Sequence, residues 1–96
     1  MSLPKLTPVP KFELGGCHIT SNARAHLTQD DVLRALQRHQ VGDWGDVNQH
    51  DRQANELALK EGSRLVSVYH SATGVKFYII TEADRSMTTV LLPEDY

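Results

Sequence analysis

Between Val75 and Pro93 the chain alternates twice. Val75, Phe77, Ile79 and Thr81 interleave with Lys76, Tyr78, Ile80 and Glu82, and Thr88, Val90 and Leu92 interleave with Met87, Thr89 and Leu91. Side chains two apart in an extended strand share a face, so each segment is a strand carrying apolar residues on both faces. Such strands lie inside a sheet, covered at least in part on each side. β-Branched Thr and Val favour the pleat. Pro93 has no N–H to donate and ends the second strand. The connection between them, 82–86, has the length that hairpins use. The rest of the chain must therefore extend this antiparallel pair and cover it.

The hairpin turn carries Arg85 with Glu82 and Asp84 beside it and Thr81, Ser86, Thr88 and Thr89 near by. Two readings stand. The turn is pinned by side-chain hydrogen bonds and an ion pair, or Arg85 and the hydroxyls form a phosphate site, since a guanidinium binds phosphate in a bidentate way. An arginine already neutralised by two carboxylates is a poor phosphate ligand, which favours the first.

The remaining elements follow from local signals. Arg64 to His70 alternates Leu65, Ser67 and Tyr69 with Val66, Val68 and His70, and Ser71-Ala72-Thr73-Gly74 joins it to the next strand as a hairpin loop. Thr28 with Asp31 reads as a helix N-cap, and Leu27 is placed to staple onto Val32. Val32, Leu33, Ala35 and Leu36 supply an apolar face. Asp30 and Asp31 at the start and Arg38 and His39 at the end complement the helix dipole, and Gly42 is the stop. Asn48 opens a second helix that ends at Gly62, with a thin stripe of Ala54, Leu57 and Ala58. Residues 21–27 suggest one helical turn, and 12–20 one or two short strands broken at Gly15-Gly16. The expected fold is α+β. A three-stranded antiparallel meander (about 64–70, 75–81 and 87–92) carries two helices (about 28–40 and 49–61) on one face, with a short N-terminal strand. Pro4, Pro8 and Pro10 make 1–11 an extended arm, which leaves 12–96 as a single domain.

Ninety-six residues are enough for one core without staples. Cys17 is the only cysteine, so no internal disulfide forms and no cysteine-rich zinc site exists. The start holds no long apolar run, which argues against a signal peptide or a membrane span and for a cytoplasmic protein. A net charge of −2 argues against extended non-specific DNA binding but leaves room for a compact site with two or three basic groups. No glycine-rich phosphate loop and no zinc-module spacing is present, so no metal and no cofactor is expected.

Two groups of residues carry possible chemistry. In Gly42-Asp43-Trp44-Gly45-Asp46 the tryptophan either plugs the core, with the aspartates bonding backbone N–H groups, or serves as a stacking platform for a base, with Asp43 and Asp46 as a metal or base pair. The second group comes from what a metal-free RNase needs, an acid and a base near the 2′-hydroxyl and a cation for the phosphorane. His39 and His70 fit the acid–base pair and Arg85 the cation.

Arg38-His39, Gly42 to Asp46, Ala54-Asn55, Ala58-Leu59, Gly62, Arg64-Leu65, Ser67, Tyr69 and the stretch 79–96 together resemble a family of small uncharacterised bacterial proteins associated with plasmids and other mobile elements. The likeness covers about residues 38–96 and is most specific in Ile80 to Ser86 and Thr88-Thr89. It implies a setting and no mechanism. The order of elements, with Thr20-Ser21-Asn22-Ala23 leading into the Thr28 helix, is also similar to RelE-type RNase toxins. That likeness implies active residues on the concave face of the last strands, here His39, Arg64, Tyr69, His70, Arg85 and Thr89. The expectation is a compact RNA-directed nuclease or toxin-like domain with catalytic His39, His70 and Arg85 and binding residues Trp44, Asp43, Arg64, Tyr69 and Thr89. The alternative is a non-catalytic protein-interaction module or accessory factor of a mobile element, which the acidic balance, the thin second helix and the proline-rich arm all fit.

Overall fold

The computed structural model describes residues 9–96. Most of the expected arm, 1–8, lies outside the described residues. Within 9–11 no helix or strand forms, and the Lys11 N–H donates to the Gln40 carbonyl at 2.8 Å.

The elements run β1 (Gly16–Ile19), α1 (Ser21–His26), α2 (Gln29–Gln40), α3 (Gln49–Glu61), β2 (Leu65–His70), β3 (Lys76–Thr81) and β4 (Met87–Leu91), followed by a 3₁₀ turn at Pro93–Asp95. The chain is α+β as expected, and the meander β2–β3–β4 is antiparallel with Ile80 opposite both Val66 and Thr89. One feature of the topology differs from the expected meander. β1 joins the same sheet as a fourth strand, parallel to β4, in the order β1-β4-β3-β2. Residues 12–14 are not a strand. β1 can lie this close because Gly15, at φ 66°, carries no Cβ: one would meet the Ser86 carbonyl at 2.3 Å.

Local chemistry explains the helices. Thr28 and Asp31 form a reciprocal capping box, each side chain accepting from the other's N–H at 3.0 Å. Asn48 caps α3 through the Asp51 N–H at 2.8 Å. α1, a full short helix, is capped by Thr20. Leu27 and Val32 are both buried in one cluster, as a staple would have them.

The apolar faces sit differently from the expected stripes. In α2 the buried residues are Val32, Ala35 and His39, while Leu33 is 51% exposed. In α3 only Asn55 and Ala58 are buried, and Leu57 is 53% exposed.

Two apolar clusters form. The larger packs Ala23, Leu27, Val32 and Ala35 onto Tyr69, Phe77, Ile79, Val90 and Leu92. The smaller gathers Trp44, Ala58 and Leu65, with Phe12, Val47 and Leu59 against it. Trp44 is 1% exposed, stacks on Phe12, and donates its Nε1–H to Glu56 at 3.1 Å. It is the core plug rather than a stacking platform. Trp44→Ala is therefore expected to lower the unfolding free energy by about 3–5 kcal/mol, read from the urea midpoint, and an unchanged midpoint would remove Trp44 from the core.

Candidate functional site

The eight sequence candidates do not converge on one site. On the helix-covered face, His39 is fully buried between the clusters, its ring edge-on to Phe12 and Trp44. Its Nδ1 lies 2.5 Å from Ser67 Oγ and its Nε2 lies 2.9 Å from Thr81 Oγ1. Thr81 Oγ1 is 2.8 Å from Thr88 Oγ1, and the Thr88 hydroxyl donates to the Leu14 carbonyl at 2.6 Å. The last bond sets the direction of the whole chain. Thr88 spends its proton on Leu14, so it accepts from Thr81; Thr81 then accepts from His39 Nε2–H, and His39 Nδ1 accepts from Ser67. Every polar atom is satisfied with a neutral ring, and burial, reinforced by the charge of Arg85, pushes the imidazole from 6.5 down to about 3. A Ser–His pair of this kind can activate a nucleophile. Ser67 and His39 both have 0% exposure, so no substrate reaches them.

Arg85 is committed elsewhere. It sits at φ 61°, the single non-glycine residue with positive φ among those described. Its guanidinium donates to the carbonyls of Ser63 (2.6 Å), Ala58 (3.0 Å) and Glu82 (3.1 Å), and lies over Phe12. These bonds are structural, but the partners are backbone carbonyls, two at the end of α3 and one in the turn itself, rather than the expected carboxylates. Asp84 instead accepts from the Ser86 hydroxyl and N–H, which lowers its pKa.

Asp43 and Tyr69 also belong to the frame. Asp43 holds Arg38 through two bonds, at 2.8 and 3.2 Å, and accepts from the Gly45 N–H. The Arg38 bonds are the main reason that its carboxyl titrates below the usual range. Tyr69 is 1% exposed and donates to the Asp43 carbonyl at 2.6 Å, and burial raises its phenol.

His70, Arg64 and Thr89 lie on the face that no α-helix among the described residues covers. Val66, Ile80 and Thr89 form one cross-strand row there, and Val68, Tyr78 and Leu91 the next. The 3₁₀ turn folds Tyr96 back over this face, edge-on to the Tyr78 ring at 5.9 Å, and Arg64 donates to the Tyr96 hydroxyl at 2.7 Å. Tyr96 borders two hollows. The larger, about 620 Å³, is lined by Asp46, Asp51, Val68, His70, Lys76 and Tyr78 among others. The smaller, about 330 Å³, is lined by Arg64, Ile80, Glu82, Thr89 and Asp95 among others.

In the larger hollow His70 Nδ1–H donates to Asp46 Oδ2 at 2.7 Å, which leaves Nε2 available. This pair is half-exposed. Lys76 is opposite His70 in the ladder, with its Nζ 5.8 Å from the Tyr78 ring centre. Sequence reasoning named Asp46 only as the companion of Asp43, and it missed Lys76, Tyr78 and Tyr96. Strand alternation offered one signal, because Lys76 and Tyr78 share parity with Ile80 and so share a face. Among the described residues no three His, Cys, Asp or Glu side chains gather as a metal site, and no helix is long and apolar enough to cross a membrane.

No family model, curated protein or solved structure matches the chain. The arrangement of side chains on the helix-free face therefore has to carry the functional reading.

Two outcomes test these placements. The unfolded His39 takes a proton near pH 6.5, whereas the folded ring accepts one only near 3, so the folded state loses stability as pH falls through that window. Each pH unit lost there removes roughly 1.4 kcal/mol, and His39→Leu should flatten the slope of urea midpoint against pH between 6.5 and 4.5. Arg85→Ala and Arg85→Lys should both lower the melting temperature at neutral pH, because neither reproduces the planar fork on three carbonyls. An unchanged melt for Arg85→Ala would mean that the guanidinium is not anchoring α3.

Proposed function

We propose that this protein is a non-catalytic interaction module that binds a partner protein through the helix-free face of its sheet. The observation that supports this most directly is how that face is composed. Tyr78, Val66, Val68 and Tyr96 form an aromatic and aliphatic centre, and the charged groups around it are of both signs with carboxylates in excess, Asp46 and Asp51 with Lys76 in one hollow and Glu82 and Asp95 with Arg64 in the other. An apolar aromatic centre inside a polar rim is the anatomy of a protein interface. A surface for RNA would carry an excess of positive charge. His39 and Arg85, two of the three expected catalytic groups, are held by internal bonds, and His70 lies on the other face from His39. The resemblance to mobile-element proteins supports an accessory role in that setting.

A second reading draws on the Asp46–His70 pair. A carboxylate on Nδ1 orients an imidazole for acid–base work at Nε2, Lys76 is a cation in the same hollow, and the tyrosines offer stacking surfaces for bases. This keeps an RNA-directed nuclease as the alternative, with its centre moved from His39 and Arg85 to His70.

One pair of variants separates the two. The wild type is expected to retain a single stoichiometric partner in a pull-down, and Tyr78→Asp to lose it, while His70→Gln keeps it. Induced expression should not arrest growth. Growth arrest with RNA cleavage that disappears in His70→Gln would replace the interaction reading with the nuclease.

A further inference from the structure

The two edges of the sheet are treated differently. At the β2 edge each outward backbone group of Val66 and Val68 is occupied. The Asn55 side chain accepts from the Val66 N–H at 3.1 Å and donates to its carbonyl at 2.8 Å. The Val68 N–H donates to the Trp44 carbonyl at 3.1 Å, and its carbonyl accepts from the Asp46 N–H at 2.7 Å.

At the other edge, β1 has no such cover among the described residues. Gly16 N–H bonds the Ser86 carbonyl and Thr20 N–H bonds that of Val90. In a parallel ladder this makes the even-numbered residues of β1 face β4, so Cys17 and Ile19 turn their N–H and C=O outward. All four residues of β1 are exposed. Natural sheets usually guard such an edge with Lys, Pro or a bulge; Gly-Cys-His-Ile has no Lys or Pro.

Beside this edge lies a groove of about 540 Å³ between β1 and the helices, lined by Ile19, Leu27, Val32, Leu33 and Leu36. Ile19 and Leu33 are 38% and 51% exposed. Arg24 is the one charged side chain among the described residues that lines it.

We propose that a second copy of this chain pairs with the β1 edge, antiparallel about a two-fold axis, to join two sheets into one of eight strands. Charge decides for a second copy. A two-fold axis sets surface groups near the axis against their own images, so a self-pairing edge must be free of like charges there, and β1 and the α2 flank bordering the groove carry no Asp, Glu, Lys or Arg. Antiparallel pairing moves Arg24 away from its own image and toward the end where the partner copy enters β1 past Glu13.

The outward groups also fix the register. Cys17 pairs with Ile19 of the other copy in both directions, which makes four backbone hydrogen bonds and centres the axis on His18. The two His18 residues then form a non-hydrogen-bonded pair with Cα atoms about 4.5 Å apart, on the helix-free face. Ile19 lies diagonally across from its counterpart on the helix side, within reach of a long side chain.

Sedimentation velocity of the full chain at rising concentration should show a monomer–dimer equilibrium. His18→Asp places two carboxylates directly opposite each other and should raise the dimer dissociation constant about tenfold or more, with an unchanged thermal melt at concentrations where the wild type is monomeric, because His18 is exposed there. In a Cys17→Ser, His18→Cys double variant the new cysteines fall within the Cα range of a disulfide, so mild oxidation should trap a covalent dimer. The second variant still decides the matter if His18→Asp fails to fold. A wild type that stays monomeric at every concentration overturns the proposal. So does a dimer that ignores His18→Asp and forms no disulfide in the double variant.

Discussion

The hydrogen-bonded chain from Ser67 through His39, Thr81 and Thr88 to the Leu14 carbonyl is the interaction on which the rest of the fold depends. It takes one hydroxyl from each of the three meander strands, the ring from α2, and a carbonyl from the segment entering β1. All but the part-buried Leu14 end of the chain is buried, and a buried polar group left without its partner costs about 1–3 kcal/mol. A one-residue slip in any strand would turn its hydroxyl to the opposite face. The chain is satisfied only with all three strands in register and α2 at one height above them. Neutral imidazole suits the middle position because it accepts at one nitrogen and donates at the other. The apolar clusters on either side supply most of the burial, while this polar seam selects one arrangement of them.

α3 is attached on different terms. Its buried side is little more than Asn55 and Ala58, too thin a stripe to hold a helix on a sheet by apolar contact alone. Polar attachments make up the difference: Glu56 accepts from Trp44, Asn55 clips the backbone of Val66, and Arg85 gathers the carbonyls of Ala58 and Ser63. This explains why Arg85 tolerates a left-handed backbone. The strain of positive φ in a side-chain-bearing residue, roughly 1–2 kcal/mol, is offset by two bonds that fix the end of a helix more than twenty residues away in sequence and by a third to the Glu82 carbonyl of its own turn.

What could be read from the sequence follows the range of the interactions involved. Helix caps at Thr28 and Asn48, the hairpin after His70 and the strand alternation are local, and each appears in the structure close to where local chemistry put it. The parallel pairing of β1 with β4 was hidden, since the two strands are separated by nearly the whole chain and nothing in Gly16–Ile19 names its partner. His39 had a signal that was legible. It follows Val32 and Ala35 by seven and four residues, the spacing of one helix face, so it belonged to the buried stripe before it belonged to any catalytic list. Ser67 likewise shares parity with Leu65 and Tyr69. Arg85 had no such signal: its acceptors are backbone atoms, which sequence does not distinguish, and the neighbouring carboxylates were the wrong partners. Of the eight candidate site residues, Arg64, His70 and Thr89 reached the helix-free face, and Asp46 joined them because of where Trp44 is anchored.

The segment Trp44-Gly45-Asp46 connects these levels. Trp44 is fixed in the smaller cluster, and its carbonyl together with the Asp46 N–H closes the β2 edge at Val68. That closure is possible only with glycine between them. Gly45 is at φ 74°, and a Cβ there would lie 2.0 Å from the Val68 carbonyl and 2.7 Å from the Tyr69 ring. Once the edge is closed, the side chain of Asp46 reaches His70, two residues along the same strand from Val68. A buried indole therefore sets the position of an exposed carboxylate through a single residue without a side chain. The hollow around His70 inherits its geometry from the core, whereas the β1 edge on the far side of the sheet has no equivalent segment laid against it among the described residues. The same sheet thus presents one margin that is built into a surface feature and one whose backbone is left able to pair.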